Sequence, residues 1–289
     1  MKWKKSDYRQ AGSINSIKDF LKQNEWRHTG LSASLISSTA EKKSAASFFY
    51  SKTNQLWSGY NGREIAAAVL INNGGVMFPA LKNADKEDLK KLFCRKLKSF
   101  YSAVGMQEDV LKVEELYNKK PFDTVNYYIF TLEKKEKNQQ KNNLKTKTEY
   151  KIKTAGPEDF DKLWPLEKNY IFEEVLRNSS SFYEKPWKLR FMKTLTEQTV
   201  LYAEINGKAA GKAGTNAKGW GWNQVGGVYV LPEFRGKKLG KTLIDSLSYF
   251  SEKDNKKLCL FVKQTNTAAI MLYNSIGFIN RGNYRISYF

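Results

Sequence analysis

Residues 233–243 read EFRGKKLGKTL, placing Gly236 and Gly240 beside Arg235, Lys237, Lys238 and Lys241 where an amphipathic helix begins. The chemistry open to such a segment is anion binding. The first turn of a helix leaves about four backbone N–H groups unpaired and carries roughly half a positive charge. Glycine lets a phosphate come close to that backbone. The alternative is a basic surface turn in a basic protein. The neighbouring residues favour an anion site: an apolar strand, GGVYV (226–230), and a connector, LPEF, precede the turn, which is the strand–turn–helix context such a site needs.

Other residues could act on a second molecule. In LEKNYIFEEVLR (166–177), Tyr170, Glu173 and Glu174 stand at i, i+3 and i+4 and share a helix face. Carboxylates there can hold a cationic amine or take its proton, or they form a solvated charged face. Asn216 and Gln224, on neighbouring strands, can orient an acceptor or serve as strand-edge polar groups. Trp220, Trp222 and Trp187 can wall a pocket, or the Gly-Trp-Gly-Trp turn simply pins a loop. His28 has no partner at ligand spacing and reads as a surface or edge residue. Cys94 and Cys259 are isolated thiols in apolar patterns. Neither a metal site nor a disulfide framework is expected.

The elements that position these residues fall into two similar halves. KKEKNQQKNNLKTKTE (134–149) has one apolar residue and no period, and reads as a solvated linker between domains 1–133 and 150–289. Each half carries an Asn-Gly hairpin, at 56–70 and at 201–215, where a type I′ turn is expected. A third strand follows in each (74–81 and 226–234), then a helix (86–104 and 238–251). The second half continues with a strand at 257–263, a helix at 267–277 and a strand at 284–289. The first continues with a helix near 107–118 and a strand at 125–132. Both halves read as α/β (α+β), a mostly antiparallel sheet flanked by helices. They diverge at the anion loop, where the first half has ALKNADKED. Asp85, Glu87 and Asp88 complement a helix dipole but repel phosphate.

Composition excludes less than it suggests. The formal charge is +20, with 49 basic residues. Forty of these are Lys and only nine Arg, the better reader of bases and phosphates. The charge is spread evenly over both halves, so no dedicated nucleic-acid surface is expected. MKWKKSDYRQ leads into no apolar run of signal or membrane-span length, and a cytoplasmic location is the default expectation.

VYVLPEFRGKKLGKTLI (228–244) resembles the signature segment of the GNAT acetyltransferase superfamily, Arg/Gln-x-x-Gly-x-Gly/Ala. Arg235 and Gly240 match its ends, and Lys238 stands where the middle glycine is expected. QTNTAAIMLYNSIGF (264–278) resembles the C-terminal segment, Asn-x-x-Ala-x-x-Leu-Tyr-x-x-x-Gly-Phe, through Asn266, Ala269, Leu272, Tyr273, Gly277 and Phe278. The resemblance covers about 150–289. With AGKAGTNAKGWGWNQVGGVYV and YIFEEV, it extends to a bacterial acetyltransferase-like group with an extra N-terminal α/β domain. It implies a tandem of a degenerate and an intact GNAT domain, and acetyl-coenzyme A as cofactor. It implies cofactor contacts along Val228, Tyr229, Val230, Arg235, Gly236, Lys237, Lys238, Leu239, Gly240 and Lys241, and at Asn266, Ala269 and Tyr273. It implies direct attack by an amine acceptor of unidentified structure, an oxyanion donor near Tyr229 or Val230, and Tyr273 as the acid that protonates the thiolate. The strand 224–230 has no carboxylate, which leaves Glu173 or Glu174 as the expected base. Tyr170, Glu174, Asn216 and Gln224 are the expected acceptor contacts. Two rivals stand beside this reading: a coenzyme A-binding module without catalysis, and a lysine-driven nucleic-acid or membrane binder.

Overall fold

A computed structural model describes residues 1–6, 11–40, 54–81, 84–93, 97, 99–133, 150–176 and 182–289. The first half runs β1 (Lys2–Lys5), α1 (Ala11–Lys22), α2 (Thr29–Ala40), β2 (Gln55–Asn61), β3 (Glu64–Ile71), β4 (Val76–Ala80), α3 (Lys86–Phe93), β5 (Ser102–Met106), α4 (Gln107–Leu116) and β6 (Asp123–Leu132). The second runs β7 (Lys151–Ala155), α5 (Phe160–Tyr170) with a π-helical turn Ile171–Val175, α6 (Glu184–Glu197), β8 (Val200–Ile205), β9 (Lys208–Lys218), β10 (Trp222–Val230), α7 (Leu239–Lys253), β11 (Lys257–Lys263), α8 (Thr267–Ile276) and β12 (Ile279–Tyr288). The linker expected at 134–149 and Cys94 lie outside the described residues.

Local sequence accounts for most of these elements. In α7, Leu239, Leu243, Ile244 and Leu247 recur at helical spacing and are buried. Asn266 caps α8 by accepting the Ala269 N–H at 3.0 Å, and Gly277, at φ +100°, ends it. Between β8 and β9, Asn206 and Gly207 both have positive φ, as a type I′ turn requires. In the first half the hairpin closes one residue later. Asn61 pairs with Glu64, so Gly62 and Arg63 form the loop, and only Gly62 has positive φ. The helix expected over 86–104 is described only to Phe93, and Ser102–Met106 is a strand paired with β12. The last strand begins at Ile279 rather than 284. His28 is half-buried beside Arg27, not a surface residue; burial first, then that guanidinium, push its pKa down to about 3.

The strands form one sheet in the order β1-β2-β3-β4-β5-β12-β6-β11-β10-β9-β8-β7. All described pairs are antiparallel except β4/β5 and β10/β11. The order exchanges strands between the halves. β6, from the first half, pairs with β11 of the second, Leu132 opposite Leu258 through Tyr127 opposite Lys263. β12, from the second half, pairs with β5 of the first. The cores follow the same exchange. Phe130 and Leu132 belong to the core built on Leu201, Val225, Leu243 and Leu260, whereas Phe289 packs into the core of Trp57, Met77, Leu89 and Val110.

Each half has a parallel pair that soon separates. β10 pairs with β11 only from Trp222 to Gln224, then continues to Val230 with a gap beside it. β4 pairs with β5 only at Val76 and Met77. In the first half, Leu81, Ala84 and Leu89 join the core beside Val110. Lys112 Nζ donates to the carbonyls of Leu81 and Ala84 at 3.0 and 3.2 Å, and Asp85 caps α3 by accepting the Asp88 N–H at 2.7 Å. Carbonyls and acids therefore occupy the place where the second half presents N–H groups.

Candidate active site

The turn before α7, the expected anion site, is built from backbone conformations that the sequence only hints at. After a short 3-10 turn, Pro232–Phe234, the chain passes through Gly236 at φ +76° and Lys238 at φ +61°, ψ 10°. Lys238 is the N-cap of α7, it makes no side-chain cap, and the first turn holds no acid. Its left-handed conformation explains why a glycine suits this position. Leu239, Gly240 and Lys241 supply first-turn N–H groups with no intrahelical partner. Gly240 is half-buried, and a Cβ there would come within 3.3 Å of Leu272 Cδ2, so the same glycine lets α7 approach α8. Lys237 lies exposed over the Phe234 ring at 5.4 Å, and Lys241 stands 3.7 Å from Asp245. An acid-free, glycine-opened helix start flanked by lysines fits a diphosphate.

From this loop the gap runs back along β10. Leu231 N–H donates to Ala210 O on β9 at 3.0 Å, so strand alternation turns the Val230 N–H the other way, towards the gap. The Tyr229 side chain points to the helical layer, buried with Leu166 and Phe191. Val228 packs against the core under α7. A bulge interrupts β10 between Gly226 and Tyr229, with Gly227 at φ +60°. Lys212 holds it from below. This lysine is 3% exposed, its Nζ donates to Gly227 O at 2.8 Å, and it pairs with Glu167 at 2.6 Å. It also lies 4.7 Å over the Tyr170 ring.

The expected carboxylates separate at the π-helical turn. Glu173 accepts from the Tyr229 hydroxyl and, at 2.7 Å, from Arg235. Burial raises its pKa, but these two donors outweigh it and hold the carboxyl below its ordinary range. Arg235 also donates from Nε to Val230 O at 3.0 Å. Glu174 faces the gap, where Asn266 Nδ2 donates to its two oxygens at 3.1 and 3.3 Å and Lys263 Nζ donates to its backbone carbonyl at 2.5 Å. Ala269 sits in the first turn of α8, its N–H held by Asn266. Tyr273 is 7% exposed and meets Phe278 edge-on, with centroids 5.6 Å apart. Burial, then Tyr170 and Glu174, push its phenol well above the ordinary range, so it is a protonated donor at neutral pH. Burial likewise pushes Tyr170 up to about 12. Tyr127, on the exchanged strand β6, is raised by burial and feels both Tyr170 and Glu174, so the first half contributes to this cluster.

On the far side of the bulge lies a chamber of about 830 Å³. Gly30, Ser34 and Phe78 wall it from the first half; Tyr170, Trp187 and Arg190 wall it from the second. Asn216 and Gln224 both line it. Asn216 lies flat on Gly226, where a Cβ would fall 1.8 Å from its Nδ2, so only glycine fits. Neither Glu173 nor Glu174 is among the lining residues. Trp220 and Trp222 stand elsewhere. Glu25 accepts the N–H groups of Trp220 and Gly221 at 2.6 and 2.7 Å, and Trp220 packs on the core of the first half, so the turn pins the halves together. Sequence reasoning missed Lys212, Glu167 and Arg190. Only Lys212 left a signal, a lone lysine inside the small-residue strand AAGKAGT.

Residues 168–278 match the model of the Acetyltransferase (GNAT) family. A mycothiol acetyltransferase from Acidothermus cellulolyticus is 35% identical over 85 residues, 28% of this chain and 26% of that enzyme. The chain thus aligns with only about a quarter of that relative's length. A putative [ribosomal protein bS18]-alanine N-acetyltransferase from Bacillus subtilis is 29% identical over 153 residues, 50% of this chain and 89% of that protein. In fold, a tandem GNAT protein from the clavulanic acid biosynthesis pathway superposes with a TM-score of 0.56 at 10% identity, covering 99% of this chain and 97% of its own.

Proposed function

We propose that the protein, whose residues 168–278 match the model of the Acetyltransferase (GNAT) family, is an acetyl-coenzyme A-dependent N-acetyltransferase acting on a small primary amine held in the chamber between the halves. One observation carries the reading. β10 leads from Gly227, which lines the chamber, to the acid-free helix start of α7, so one strand carries both places. A chamber of about 830 Å³ is of small-molecule size.

Gly236, Lys238 and the first turn of α7 would hold the diphosphate, with Lys237 and Lys241 adding charge. Arg235, fixed by Glu173, braces the loop against β10. Coenzyme A supplies the acetyl thioester. The Val230 N–H, turned towards the gap, would be the donor for the carbonyl oxygen on which charge develops. Glu174, among Tyr170, Tyr273 and Tyr127, takes the proton of the acceptor amine. Tyr273, held protonated by burial, would be the residue to supply a proton to the thiolate of bound coenzyme A. Glu173 serves as a positioning residue for Arg235 in this reading, not as the base.

The test is thermal unfolding with and without acetyl-coenzyme A, beside a Lys237→Glu/Lys241→Glu variant, together with thiol release on a panel of amines. Ligand at about 100 times its Kd stabilises by roughly 2.7 kcal/mol. A wild-type shift lost in the variant, with amine-dependent thiol release, is expected. A shift without thiol release for any amine would favour the coenzyme A-binding module. No shift would refute the cofactor site.

A further inference from the structure

Resting on the acceptor chamber just described, we propose that the acceptor is amino-acid-like: a primary amine that also carries a carboxylate, read by the Arg190 guanidinium. The argument begins with the charges that face the chamber. Lys212 is neutralised by Glu167 at 2.6 Å. Lys193 stands 3.7 Å from Glu197 on the next turn of α6. Arg190 lines the same chamber and pairs with no carboxylate among the described residues. Its guanidinium lies 5.3 Å over the Trp187 ring, which orients the planar fork and lowers the cost of fixing it. A guanidinium so held matches a carboxylate through two parallel hydrogen bonds.

The opposite end of the chamber completes the match. Gly227 and Tyr170 line it where the bulge meets the gap, and Glu174 lies beside Tyr170. Arg190 therefore stands as a cation on the α6 wall, while Glu167, the carboxylate beside Tyr170 in the lining, is taken up by Lys212. A zwitterion would set its carboxylate on Arg190 and turn its ammonium towards the Gly227 bulge, where Tyr170 also lines the chamber. A diamine would place its second charge against the guanidinium, at a cost. The lining also carries Asn216, Gln224 and Thr194, which suit a polar backbone more than an alkyl chain.

The experiment compares amine pairs that differ only in the carboxylate: lysine with cadaverine, phenylalanine with phenethylamine, and glycine with methylamine, with O-phosphoethanolamine as a phosphate-bearing control. Binding is measured by calorimetry on the full chain, and kcat/KM by thiol release, for the wild type and for Arg190→Gln. Arg190 is exposed on α6, so its replacement leaves the core intact. The expected result is a preference of about tenfold or more for the carboxylate member of at least one pair. Arg190→Gln abolishes it, and Arg190→Lys restores part. Equal use of both members, a preference for the phosphate compound, a preference that survives Arg190→Gln, or no binding of any amino acid would each overturn the proposal. Turnover of decarboxylated amines alone would refute the carboxylate while leaving the acetyltransferase reading intact. Calorimetric binding of amino acids without thiol release would do the reverse.

Discussion

Removing residues 1–149 should leave a chain that does not fold, although the remainder contains the whole matched domain. The reason is the exchanged strand. β6 brings Ile129, Phe130 and Leu132 into the interior, none more than 5% exposed. Phe130 and Leu132 lie in the core of the second half, and Ile129 lies at the seam with Tyr284. Burying a large apolar side chain is worth about 1.5–3 kcal/mol, so the three together contribute roughly 5–9 kcal/mol. A whole domain is stable by only about 5–15 kcal/mol. Truncation also opens β11 along the register from Leu258 to Lys263 and takes from β12 both of its neighbours. The assay is circular dichroism and urea unfolding of 150–289 alone, then of 150–289 co-expressed with 1–133. The isolated fragment should show no cooperative transition. The co-expressed pair should purify together and unfold in one transition, because all the described strand pairing survives the omission of 134–149. A cooperative unfolding curve for 150–289 alone would refute the argument, since the second half would then supply its own complete sheet.

Lys238→Gly should stabilise the protein by about 1 kcal/mol, because a left-handed conformation costs an ordinary residue roughly 1–2 kcal/mol and glycine gives part of that back as chain entropy. A rise in Tm of about 2–4 °C checks it, and a fall would mean that the lysine side chain contributes more than its strain. Tyr273→Phe keeps the edge contact with Phe278 and should lower kcat about 10²-fold or more, with acetyl-coenzyme A affinity changed less than threefold; loss of cofactor binding would make the tyrosine structural. Burial, aided by Glu108, pushes the Asp109 carboxyl on α4 up to about 6, and both of its oxygens are buried without a hydrogen-bond partner among the described residues. The folded state therefore holds this proton more tightly than the unfolded chain does, and stability falls as pH rises from about 4 through 6. Asp109→Asn should flatten that part of the stability–pH profile and raise stability at pH 8 by up to about 3 kcal/mol; an unchanged profile would show that the carboxyl ionises without cost.

The elements that could be read from sequence are those whose cause is local. The Asn206-Gly207 turn, the Asn266 cap and the apolar spacing of α7 each depend on a few adjacent residues, and each stands where its pattern puts it. The turn into α7 was legible for the same reason. Arg235 to Gly240 is a run of backbone requirements, and even the departure at Lys238 left the left-handed conformation in place. What could not be read is pairing at a distance. The pattern of VNYYIFTL makes a strand but does not name its neighbour; the second half needs β6 because Phe130 and Leu132 fill a core that its own strands leave open. The carboxylates fail similarly. Glu173 and Glu174 are adjacent in the sequence, yet the π-helical turn sends one to Tyr229 and Arg235 and the other to Asn266. The chamber wall was hidden because it belongs to both halves: Gly30, Ser34 and Phe78 carry no signal of their own, and they line the same chamber as Arg190 only in the folded chain. The sheet of the second half is completed by a strand from the first, and α2 of the first half lines the chamber, so the first half is part of the frame on which the proposed site depends.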